Sequence, residues 1–155
     1  EVLFNRSLTP PEGVGQKISG CDNSHLGEFL QNNLKWLEEY GYERHYIWSA
    51  RGEKLTGFLL KAKEESDIYL LGVHGYRSTG RREFSKFVQY YLEKGINVFL
   101  PDHIASGESE GNFCTFGYYE QDDCQPFALE HEEDDVLILV YNTSESGVEC
   151  LMESA

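Results

Sequence analysis

The stretch "IYLLGVHGYRSTGRR", Ile68 to Arg82, decides how the rest of the chain is read. Its first six residues form a short apolar run, and such a run suits a strand covered on both faces better than one with a wet side. A loop, "HGYRSTGRR", follows. After it Phe84, Phe87, Val88, Tyr91 and Leu92 recur at helical spacing, with Gly95 as the stop. "INVFLPD" then reads as a second apolar strand and "DVLILVY", ending at Tyr141, as a third. Strand, helix, strand in this order implies parallel pairing.

Upstream, "YERHYIWS" and "KLTGFLLKA" flank the turn-like "ARGE", whose glycine can take a positive φ, so the pair reads as an antiparallel hairpin. Before it, Leu26, Phe29, Leu30, Leu34 and Leu37 follow a helical period from Ser24 to Tyr40. Asp22, Asn23 or Ser24 can cap the start of this amphipathic helix and Gly41 can end it. The first twenty residues, with Pro10 and Pro11, read as an irregular lead-in. Between the last two strands, "FGYYEQDDCQPFALEHEEDD" should hold a helix if the sheet is parallel, and Pro126 makes that helix short or broken. The expected fold class is therefore α/β, a mostly parallel sheet with an N-terminal antiparallel hairpin. Residues 1–41 form a lead-in and amphipathic helix, and 42–155 the domain proper.

Composition narrows the function classes. A hydrophobic share of 40% with ten Tyr and nine Phe argues for a packed globular unit over a disordered chain. A formal net charge of -14 repels polyanions, so neither nucleic acid nor an anionic membrane face is an expected partner. No stretch approaches the ~18 consecutive apolar residues of a spanning helix. Cys21, Cys114, Cys124 and Cys150 contain no C-x-x-C pair, and the preferred reading is four thiols in a reducing compartment, with a Cys114–Cys124 disulfide left open. That prefers the cytoplasm. The chain starts at "EVLFNR" without methionine, which leaves an upstream targeting segment open. Asp102, His103 and the acidic run Glu130 to Asp135 show no metal-ligand spacing, so neither metal nor cofactor is expected.

In a parallel sheet the loops leaving the strand carboxyl ends converge on one edge, where ligands bind. Here they are "HGYRSTG", "PDHIASGESEG" and "NTSES". With "LGVHGYRST" (Leu71 to Thr79), "YYLEKGINVFLPDHIASGESEG" (Tyr90 to Gly111) and "VYNTSESGVECLMESA" (Val140 to Ala155), the chain resembles the α/β-hydrolase family, in particular small bacterial serine esterases, over residues 42–155. The resemblance implies a hydrolase of carboxylic esters or related acyl bonds, with a small-molecule ester as substrate. Ser144 falls on the nucleophile position of the strand-turn-helix elbow. The backbone N–H groups of Tyr76, after His-Gly, and of Glu145 fall on the oxyanion donors. His74, Gly75 and Asp102 belong to the site loops, with His74 a structural, hydrogen-bonded histidine rather than a base. Gly107, Ser109 and Gly111 match the Gly-x-Ser-x-Gly after the second strand, a tight connection and not the nucleophile turn.

The sequence departs from the family at three points. Ile104, Ala105 and Ser106 stand where Arg, Gly and His are common. Asn142 and Ser146 replace the elbow glycines, and Glu145 brings a carboxylate beside the oxyanion site. The family's order is Ser, then Asp or Glu, then His, yet His25, His45, His74, His103 and His131 all precede Ser144. The expectation is a truncated or altered hydrolase domain whose acid and histidine lie elsewhere. The alternative is a non-catalytic α/β-hydrolase-like binding or interaction module. In either, an apolar last strand left at the sheet edge would let copies of the chain pair as a homo-oligomer.

Overall fold

A computed structural model of the chain describes residues 24–49, 51–75, 78–113 and 135–140. The elements in order are α1 (Ser24–Tyr40), β1 (Glu43–Trp48), β2 (Lys54–Leu60), β3 (Ile68–Val73), α2 (Gly80–Glu93), β4 (Asn97–Asp102) and β5 (Asp135–Val140). Each apolar run read as a strand is one, and both periodic segments are helices. The cysteines and the segment interrupted by Pro126 lie outside the described residues.

Five strands form one sheet in the order β1-β2-β4-β3-β5. β3 pairs in parallel with β4 on one side (Leu70 beside Val98, Leu71 beside Phe99) and with β5 on the other (Ile68 beside Asp135 through Val73 beside Val140). The hairpin extends this unit: β1 runs antiparallel to β2, and β2 antiparallel to β4, Thr56 facing Asp102. Strand order thus reverses about β3, the kind of point where α/β sheets open a crevice. Among the described residues β5 is an edge strand, as is β1.

Alternation of side chains sorts the core into two faces. Phe58 and Leu60 of β2, Leu70 of β3 and Val98 and Leu100 of β4 pack with Leu37 of α1 and Phe84, Val88 and Leu92 of α2. Leu59, Leu71, Val73 and Phe99 pack together separately, on the opposite face of their strands. Gly72 is where α2 comes down on the sheet: a Cβ there would meet Leu100 at 2.7 Å and Phe84 at 3.1 Å.

The helices bury narrower stripes than the periodicity suggests. In α2 the i, i+4, i+8 row Phe84, Val88, Leu92 is buried, while Phe87, one step round the helix, lies at the rim and is exposed. Among the side chains of α1 that are described, Leu37 is buried, with Leu34, Trp36 and Tyr40 packed beside it, and Phe29 is 56% exposed. α2 ends in a Schellman motif. Ile96 N–H donates to Tyr91 O and Gly95 N–H to Leu92 O, with Gly95 at φ +75°.

Candidate active site

The carboxyl ends of β3, β4 and β5 share one edge of the sheet because the three strands run in the same direction. β3 delivers His74 and Gly75 there, and β4 delivers Asp102 and His103. Val140, the last residue of β5, lies beside Val73, the last of β3. Ser144, four positions beyond Val140, lies outside the described residues, as do Tyr76 and Glu145.

His74 is 3% exposed, and its ring links the two loops. The backbone N–H of His103 donates to His74 Nε2 at 3.1 Å, and His74 Nδ1 lies 2.8 Å from Gly75 O. A backbone N–H can only donate, so Nε2 is the acceptor. A neutral ring then carries its proton on Nδ1 and donates it to Gly75 O. Both nitrogens are engaged within the fold, which leaves neither aimed at a substrate. The His74 and His103 ring centroids are 4.5 Å apart.

Asp102 is 1% exposed. Its Oδ1 accepts the N–H of Gly80 and its Oδ2 the N–H of Glu108, each at 3.0 Å. Burial pushes the Asp102 carboxyl above its ordinary value, opposed by these two N–H groups and by the Arg81 charge. Gly107 lies flat against it: at φ +49°, a Cβ on this residue would stand 1.9 Å from Asp102 Oδ2. Ser109, also buried, donates its hydroxyl to Asp102 O and accepts Thr56 N–H at 2.8 Å, stitching the loop to the start of β2.

The departures from the family pattern acquire physical reasons here. Ile104, where Arg is common, turns inward at 2% exposure, and a Cβ on Gly111 would meet its Cγ1 at 2.6 Å. Ala105, where Gly is common, keeps the left-handed backbone at φ +60° although it has a side chain. Its N–H donates to Glu110 O at 2.8 Å, which closes the loop.

Sequence reasoning missed three residues that hold this rim. Glu83 Oε2 accepts Gly75 N–H at 2.9 Å, and a carboxylate in the first turn of α2 after the Thr79 cap was the available signal. Arg81 donates to Glu38 Oε1, to Tyr42 OH and, at 2.8 Å, to Glu108 Oε1, with its guanidinium 4.0 Å above the Phe58 ring. Arg44 Nε donates to Glu108 Oε2 at 3.1 Å. These partners are up to 64 residues apart in sequence, so no local pattern announces them. Among the described residues no group of three His, Cys, Asp or Glu is placed to hold a metal, and no helix is long and apolar enough to cross a membrane.

No family model matches the sequence, and no curated protein matches it. The fold does have neighbours among solved structures. The esterase Pf2001 of Pyrococcus furiosus superposes with a TM-score of 0.62 at 22% identity, covering 74% of this chain and 48% of that one. An alpha/beta hydrolase from Novosphingobium aromaticivorans gives 0.55 at 18% identity, over 74% and 39%. One from Vibrio vulnificus gives 0.54 at 20% identity, over 72% and 40%. The chain spans less than half the length of each. With its sheet order, its parallel register and these neighbours, the chain has an α/β-hydrolase-like fold.

Proposed function

We propose that residues 42–155 are the N-terminal part of a serine hydrolase acting on carboxylic esters or related acyl bonds. The observation that carries this reading is the register of β3 against β5. Val73 and Val140 end side by side, so β3 and β5 reach the same edge of the sheet, the edge to which β4 brings Asp102. Ser144 Oγ attacks the acyl carbon as a base takes its proton. The N–H groups of Tyr76 and Glu145 receive the charge developing on the carbonyl oxygen, the alcohol departs with the proton the base had taken, and water then releases the acyl group from Ser144 Oγ as the acid. His74 is not that base, because its two nitrogens are spent on His103 and Gly75. The reading therefore takes its base from a histidine other than His74 and outside the family order, in which the histidine follows the serine. The test is initial-rate hydrolysis of a p-nitrophenyl ester of a short acid. Turnover above buffer that vanishes in Ser144→Ala is the expected result, and none from the folded chain overturns it.

A second reading, a non-catalytic module that pairs through its sheet edge, is favoured by Asn142, Glu145 and Ser146 at the turn and by the edge position of β5 among the described residues. It predicts no ester turnover together with a concentration-dependent dimer in sedimentation.

A further inference from the structure

Glu108, Asp102 and the first turn of α2 form a closed ring. Glu108 N–H donates to Asp102 Oδ2, and Asp102 Oδ1 accepts Gly80 N–H. Arg81, the residue after Gly80, returns a hydrogen bond from Nη2 to Glu108 Oε1 at 2.8 Å. Arg44 from β1 holds the other carboxylate oxygen of Glu108. Arg81 does not depend on Glu108 for its own placement, since Glu38, Tyr42 and the Phe58 ring already fix it. The ring also has an outlet, because Glu83, three residues beyond Gly80, grips Gly75 N–H at the rim.

We propose that Glu108 is a positioning residue: by locking its loop to Arg44 and Arg81 it holds Asp102 against Gly80, so setting α2 and, through Glu83, the His74–Gly75 turn. In functional terms this rests on the hydrolase reading above, in which that turn precedes the oxyanion donor. Three further observations support a relay rather than an ordinary surface pair. The Asp102 carboxylate is buried and has one N–H on each oxygen, so it cannot slide without losing a partner. Gly107 backs closely onto Oδ2, where an added Cβ would stand 1.9 Å away. The two guanidiniums keep the Glu108 carboxyl below its ordinary value, so it is a charged acceptor at neutral pH.

The test is amide exchange of the full chain followed by NMR, comparing wild type with Glu108→Gln. The variant keeps shape and is partly exposed, so the fold survives. The relay predicts about tenfold loss of protection at both Gly80 and Gly75, with Val88 and Leu92 unchanged, and a smaller loss at the same two amides in Arg44→Gln. Change confined to residues 105–109 overturns it. A second readout separates this claim from the hydrolase reading: the rate of labelling by a fluorophosphonate. With wild type labelled, Glu108→Gln should lower the maximal rate about tenfold at unchanged half-saturation, as expected when geometry rather than binding is lost. A wild type that is not labelled removes the hydrolase reading alone, and the Gly75 and Gly80 amides still decide the relay.

Discussion

Gly107→Ala is the perturbation whose consequence follows most directly from the coordinates. Two effects combine. At φ +49° an alanine incurs about 1–2 kcal/mol of left-handed strain, reduced by the ~0.5–1 kcal/mol that glycine loses in chain entropy on folding. The second effect is contact: the new Cβ would stand 1.9 Å from Asp102 Oδ2, on a carboxylate that is buried and tied by Gly80 and Glu108. Moving it breaks at least one hydrogen bond to a charged acceptor, about 1.5–3 kcal/mol. The sum is about 3 kcal/mol, a large part of the ~5–15 kcal/mol that holds a domain together. Gly95→Ala is the control. It has comparable strain at φ +75° with nothing within 4 Å of the added Cβ, so it should cost about 1 kcal/mol or less. In urea unfolding, with a slope of about 2 kcal/mol/M, the Gly107 variant should lose about 1.5 M of midpoint and the Gly95 variant about 0.5 M or less. Equal shifts for the two would refute the Asp102 clamp.

The converse change, Ala105→Gly, relieves left-handed strain at φ +60° and should raise stability by about 0.5–1 kcal/mol in the same assay; a loss would contradict the strain argument. Ser109→Ala removes the acceptor of Thr56 N–H and a donor to Asp102 O in a buried place, so about 2–3 kcal/mol should disappear, whereas a neutral result would mean the loop is not stitched to β2. The Glu108 carboxyl is depressed below its ordinary value by hydrogen bonding to Arg44 and by both guanidinium charges, so its stabilising contribution is complete above the unfolded-state value near 4.5 and fades as pH falls through the lower folded-state value. Because the group is partly exposed, the wild-type advantage over Glu108→Gln should be about 0.5 kcal/mol at pH 7 and shrink toward zero below pH 4, as read from denaturation midpoints against pH. An advantage that grows in acid would reverse the sign of the linkage.

Much of the fold was legible because local pattern and tertiary role coincide. "IYLLGV", "NVFLPD" and "DVLILV" are near-continuously apolar, and β3, β4 and β5 lie side by side in the sheet. The Gly95 stop is a left-handed residue that few others could supply. What sequence hid is long-range or chemically silent. That β2 seats itself against β4, from Thr56 opposite Asp102 to Leu60 opposite Val98, is a pairing without a local marker. Ala105 gives no sign of its left-handed backbone, since nothing in an alanine advertises it. Phe29 counted toward the apolar face of α1, yet it is exposed, while Leu37 two turns later is buried in the core. In the site, His74, Gly75 and Asp102 meet at one edge of the sheet. Glu83 accepts the Gly75 N–H, the N–H groups of Gly80 and Glu108 hold Asp102, and Arg81 and Arg44 in turn hold the Glu108 carboxylate, charges that read in sequence as ordinary surface.

The central claim is that this edge presents a nucleophile. It is tested most directly by treating the folded chain with a fluorophosphonate and locating the adduct by tandem mass spectrometry. The account predicts a single modified residue, Ser144, unlabelled in Ser144→Ala and after heat unfolding. Labelling at another residue, or none on the folded chain, would contradict it.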